Sequence, residues 1–161
     1  MSTVKVSYPA TATAITCTFG TLTSSGTVGR ASTAVDNTTN LDLDAQVMIT
    51  ITYPNSAPAN DKAIYVYAYG SYDGTTYPEG ITGSDAGYTF QGSAGALTTA
   101  LRLIGVVPGV QNVAATYGPF AVAPAFGGIL PIKWGLVILN FSGQTLSAGS
   151  VAYTRVQATV A

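Results

Sequence analysis

Lys62–Pro78, KAIYVYAYGSYDGTTYP, is the stretch that decides how this chain folds. Ile64, Val66, Ala68 and Gly70 recur at every second position, with Tyr65, Tyr67 and Tyr69 between them. Successive side chains of a strand leave opposite sides of the sheet, so a period of two describes a strand with one aliphatic and one tyrosine face. The aliphatic face predicts a core. A tyrosine has an apolar body and a polar tip, so the second face suits a further packing layer or a partner protein. Asp73-Gly74 then predicts a tight reversal of the hairpin kind, because both residues tolerate positive φ.

Upstream, Val47, Ile49, Ile51 and Tyr53 share one parity, with Thr50 and Thr52 on the other, predicting a strand over residues 46–53 with one wet face. Residues 54–61, PNSAPAND, are a loop. Ile15, Cys17 and Phe19 alternate with threonines, as in a half-buried strand, and a short strand is expected over residues 30–35. Residues 1–13, MSTVKVSYPATAT, read as an extended arm or as an edge strand followed by a connection.

Downstream, residues 78–87 read as irregular and residues 92–95 as a flexible turn. A strand is favoured over residues 100–107, where Gly105 and Pro108 argue against a long helix that Leu97 and Leu101 would otherwise permit. Residues 113–123 read as a strand ending in a bend. Residues 126–131, FGGILP, form an apolar loop. Residues 132–141 are apolar on both faces, Trp134, Leu136 and Ile138 on one and Val137, Leu139 and Phe141 on the other, so this strand is central or covered by another subunit. In residues 151–160, Ala152, Val156, Ala158 and Val160 are expected inward, and Tyr153, Arg155 and Gln157 outward. The sum is about eight strands with frequent turns, which predicts an all-β, antiparallel β-sandwich of the jelly-roll kind, with one domain over residues 14–161 behind the arm.

Charged residues make up 8% of the 161 residues, against about 25% in an average globular protein. Six basic and seven acidic side chains nearly cancel, which gives no basis for nucleic-acid binding and little repulsion between copies. No signal-peptide pattern opens the chain, and the apolar run nearest to a membrane span, residues 118–132, is broken by three prolines and a glycine pair. Synthesis in a cytoplasm and no membrane partner are the expectations.

The chain has no histidine, which removes the commonest general base and metal ligand and every Ser-His or Cys-His pair. Cys17 has no basic neighbour in sequence and reads as a buried apolar residue. Asp36, Asn37, Asp42 and Asp44 could offer hard oxygen ligands to calcium, but the spacing is not that of an EF-hand, and a capped turn is the simpler reading. Gly127-Gly128 lacks the Lys and Ser/Thr of a phosphate loop. The expectation is a protein that is not an enzyme and carries no cofactor.

Three phrases resemble a family. Residues 29–45, GRASTAVDNTTNLDLDA, residues 72–78, YDGTTYP, and residues 126–135, FGGILPIKWG, are similar in wording and order to small virion proteins of tailed bacteriophages. The functional anchor of that resemblance is the capsid cement or decoration protein, a jelly-roll domain that binds the outside of a shell as dimers or trimers. It implies the major capsid protein and copies of the same chain as partners, the capsid surface of a virion as location, and no catalytic residues. The residues expected at contacts are Val4, Val6 and Tyr8 of the arm, Tyr65, Tyr67 and Tyr69 of the tyrosine strand, and Phe120, Phe126, Ile129, Leu130 and Trp134 around the apolar loop. A tail, fibre or baseplate component is the alternative. A carbohydrate-binding module that stacks sugars on the tyrosines is more remote, and an enzyme with an acidic pair more remote still.

Overall fold

In the computed structural model, described for residues 2–54, 56–59, 62–90, 100–110 and 112–160, two antiparallel sheets pack face to face as an all-β sandwich. The described strands are β1 (Val4–Ser7), β2 (Thr13–Ile15), β3 (Val28–Ala31), β4 (Val35–Asp36), β5 (Asp44–Thr52), β6 (Ala63–Ser71), β7 (Ala86–Thr89), β8 (Arg102–Pro108), β9 (Ala114–Ala121), β10 (Lys133–Asn140) and β11 (Ala148–Val160). One sheet has the order β1-β11-β5-β9, with β2 also on β11; the other runs β7-β3-β10-β6-β8, with β4 also on β10. Short 3-10 turns occupy Pro78–Gly80 and Ala123–Phe126. Among the described residues no helix is long and apolar enough to cross a membrane.

The main core lies between the sheets. From β5 it takes Ala45, Val47, Ile49 and Ile51, from β6 Ile64, Val66 and Ala68, and from β10 Trp134, Leu136 and Ile138. Each fully buried aliphatic side chain contributes roughly 1.5–3 kcal/mol relative to an exposed one. Trp134 meets Tyr153 edge to face, ring centroids 5.2 Å apart. That contact reverses the sequence reading at Ala152 and Tyr153, while Val156, expected inward, is buried. Val151 and Tyr153 point inward and are buried, while Ala152 is half-exposed on the outer face. The tyrosine ring fills more of the space beside Trp134 than an alanine could, so size outranks hydropathy at this register.

A second core lies on the other side of the six-stranded sheet. Tyr67 and Tyr69 of β6, Val137 and Leu139 of β10 and Ala31 of β3 pack there against Ile81, Tyr88, Phe90 and Leu101. The strand β10 is therefore central and buried on both faces, as its sequence predicts. Where β3 gives way to β4, Ser32 keeps the ladder satisfied: its amide donates to the Leu136 carbonyl at 2.8 Å and its hydroxyl accepts from the Leu136 amide at 2.9 Å. Tyr69 donates its hydroxyl to the Ser32 carbonyl at 2.7 Å.

Some expectations are corrected. Asp73-Gly74 does turn the chain, with Gly74 at φ +75°, but no hairpin follows: β6 pairs with β10 and β8, while the next strand, β7, lies beside β3. The chain must leave the sheet there to lay its covering segment over the tyrosines. Residues 86–89, read as irregular or unassigned, form that edge strand. The expected strand over residues 30–35 is two short ones, broken at Ser32. Asn55, Asn60 and Asp61 of the predicted loop, the turn at residues 92–95 and Leu97 lie outside the described residues.

Candidate interaction surfaces

The eleven residues expected at contacts separate by burial. Tyr67, Tyr69, Leu130 and Trp134 are buried within the chain itself, Tyr69 completely. The tyrosine face is closed by rings from its own chain: Phe90 stands 5.3 Å from Tyr67, and Tyr77 stands edge-on 5.8 Å from Tyr69. Stacking of sugars on the tyrosine face is excluded at Tyr67 and Tyr69 by the same closure. Tyr65 is half-buried at the margin of the second core. Phe120 and Phe126 are half-buried against the main core. Their rings lie over Gly105 and Gly70, where a Cβ would come within 2.5 and 3.0 Å of ring carbons. Val4, Val6, Tyr8 and Ile129 are exposed by 58% or more.

Val4 and Val6 belong to a two-stranded ribbon, and Tyr8 follows its first strand. Pairing of β5 with β11 ends at Asp44 opposite Val156, and pairing of β2 with β11 ends at Thr13 opposite Tyr153. Residues 157–160 continue onward, paired with β1 alone. In that register Val4 faces Val160 and Val6 faces Ala158, so one side of the ribbon is wholly apolar. Lys5, Ser7, Gln157 and Thr159 form the other side. Val4 is 69% and Val160 73% exposed, so the chain covers neither. A two-stranded ribbon alone is marginal in water, which makes a covering surface energetically favourable. Sequence reasoning assigned Ala158 and Val160 inward because it ran a core-facing pattern past residue 156, where pairing with β5 ends.

A second bare apolar feature borders the base of the ribbon. Leu41, Leu43, Ile129 and Leu130 line a shallow notch of about 190 Å3. Leu43 donates its amide to the Val156 carbonyl at 2.7 Å, and Asp42 pairs with Arg155 at 3.0 Å, which fixes the notch to β11 just before the ribbon begins. Leu41 is 74% exposed and was missed by sequence reasoning, since it sits in a polar turn with φ +49°.

The acidic residues of this region are each engaged locally. Asn37 brackets the turn, accepting from the Asp42 amide at 2.8 Å and donating to its carbonyl at 3.2 Å. Asp44 accepts from the amides of Ala45, Val122 and Ala123 and from Gln46, tying the start of β5 to the 3-10 turn. Asp36 accepts from the Thr38 hydroxyl and amide, which hold its carboxyl below the usual range. Among the described residues no group of three His, Cys, Asp or Glu side chains is placed to hold a metal ion.

Cys17 is buried between the sheets. Burial, aided by the charge of Asp85, pushes its thiol up to about 12, so it is no nucleophile at neutral pH. Asp85 itself takes the Arg30 guanidinium at 2.6 Å and the Thr18 amide at 3.0 Å, and the Arg30 bond leads in pulling its carboxyl down to about 2.

No known protein family matches the chain, and neither a curated protein nor a solved structure matches it.

Proposed function

We propose that the chain is a structural virion protein that binds the outside of a bacteriophage capsid as a cement or decoration protein. The observation that carries this reading is the ribbon: an apolar face of Val4, Val6, Ala158 and Val160 that continues past the end of β5 and is exposed. A rigid body with a bare apolar extension works by adhesion. Repeated by shell symmetry, and with copies associating as dimers or trimers, many such weak contacts must break together before the shell opens. The low charge and the resemblance of residues 29–45, 72–78 and 126–135 to phage virion proteins support the reading. So does the strand order. Two layers, β2-β11-β5-β9 and β3-β10-β6-β8 with β7 as an addition, are what the proposed jelly roll calls for.

The test is to isolate virions containing the chain and locate it by cryo-microscopy. Density on the shell exterior, with residues 4–8 against the capsid protein, is the expected result. A position on the tail overturns the capsid assignment in favour of a tail, fibre or baseplate component. Absence from the particle overturns the whole reading.

A further inference from the structure

Far from the ribbon in sequence, the end of β6 opens onto two clefts separated by one exposed aromatic ring. Tyr72 is 62% exposed, and its hydroxyl leans toward the Phe126 carbonyl at 3.5 Å. On one side, Tyr72, Pro78, Phe126 and Arg102 line a cleft of about 370 Å3 with Gly70 among its walls. That volume is at the small end of the range for ligand pockets. On the other side, Tyr72, Asp73, Thr76 and Tyr77 line a second cleft of about 350 Å3.

Arg102 is what distinguishes the first cleft. Arg30 and Arg155 are each paired with an aspartate, Asp85 and Asp42. Among the described residues, the Arg102 side chain has no ion-pair or hydrogen-bond partner and is the only charged group lining its cleft. A guanidinium presents a planar fork that fits a carboxylate through two parallel hydrogen bonds. The second cleft has the opposite character. Asp73 Oδ1 accepts from the Ser71 hydroxyl and from the Thr75 and Thr76 amides, which orients the carboxylate, and Thr76 and Tyr77 add polar side chains to the cleft lining. An anion is favoured on the Arg102 side and a neutral hydroxyl-bearing group on the Asp73 side. One isolated cation facing a carboxylate across a ring does not suit a polyphosphate chain, which needs a row of cations.

We infer that this double cleft binds a carboxylated glycan, with an acidic pyranose held by Arg102 and packed on Tyr72, and a neighbouring neutral sugar lying toward Asp73 and Thr76. This site is separate from the proposed capsid-binding ribbon, so either assignment can fail alone.

The experiment is isothermal titration of the full chain with trigalacturonic acid and with 3′-sialyllactose, against galactotriose and lactose as neutral counterparts and a tetraglutamate peptide as a non-sugar carboxylate. Binding by at least one acidic glycan, weakened tenfold or more by Arg102→Gln and by Tyr72→Ala and absent for its neutral counterpart, is expected. Both residues are exposed, and an unchanged melting temperature of each variant establishes that it folds. Lack of binding by both acidic glycans, or binding insensitive to both substitutions, overturns the inference. Equal, Arg102-dependent binding of tetraglutamate also overturns it, and assigns the cleft to an acidic peptide instead.

Discussion

The two sheets of this sandwich share a core but not a fate on their outer faces. The six-stranded sheet has its central strands buried on both sides, because Tyr77, Ile81, Phe90 and Leu101 join its tyrosines in a second core. The five-stranded sheet is buried on one side only. Its outer face carries Met48, Thr50, Thr52, Ser150 and Ala152, uncharged side chains left half-exposed or exposed, with Thr50 and Thr116 hydroxyls 2.8 Å apart. The difference teaches where adhesion can reside. The most aromatic surface in the sequence is spent inside the fold, while the plain aliphatic ribbon that grows from the less decorated sheet stays exposed.

Substitutions can break that contrast. Trp134→Ala removes the largest buried side chain from the shared core and is expected to cost ~3–5 kcal/mol, measured by chemical denaturation. An unchanged midpoint would mean that the ring is not where both sheets meet. Tyr69→Phe tests the doubly covered sheet more finely. It leaves the buried Ser32 carbonyl without its 2.7 Å donor and is expected to cost about 1–3 kcal/mol. A neutral result would show that the second core tolerates water at Ser32.

Acid should sharpen the comparison at the edge where β3 and the residue 85 turn meet. The Asp85 carboxyl is lower when folded than when unfolded, so its contribution to stability is complete above about pH 4 and is lost as the pH falls toward about 2. Asp85→Asn is expected to be less stable at neutral pH and to lose less between pH 4 and 2 than the parent chain. Identical slopes for both would remove Arg30–Asp85 as a source of acid sensitivity. On the ribbon, Val4→Asp with Val6→Asp should leave stability within about 0.5 kcal/mol, as for other exposed positions, while abolishing attachment to particles. Attachment at full occupancy would move the adhesive surface elsewhere. The smallest effect is expected at Cys17, whose labelling by a thiol reagent at pH 8 should be negligible in the native chain and complete on unfolding. Rapid native labelling would indicate that the sheets part readily.

Much of this architecture is legible in the residues. Period-two runs locate β5, β6 and β10, and in β10 the double-sided apolar pattern gives its central place, because strand periodicity is a local property of the chain. Three things were not legible. The occupants of the tyrosine face, Tyr77, Ile81, Tyr88, Phe90 and Leu101, come from elsewhere in the chain, and no local pattern announces that they meet there. The inward side of β11 depends on Tyr153 meeting Trp134 from the opposite sheet. The bareness of Ala158 and Val160 depends on where β5 stops, which is a matter of strand length, not of side-chain type. For the candidate surfaces, the arm residues Val4, Val6 and Tyr8 were found because polar surroundings mark them as exposed, whereas Leu41 and Arg102 acquire interest only from neighbours distant in sequence.

One property of β11 has a mechanical corollary. It spans thirteen residues without interruption, first between β2 and β5 and then as one rail of the ribbon. Tension applied at its outer end runs along the strand axis and loads the ladder bonds to β5 side by side, in shear, instead of peeling them one after another. Under the proposed function, a tug on the ribbon would pass straight into the middle of a sheet, and the contact at its tip would yield before the body unravels.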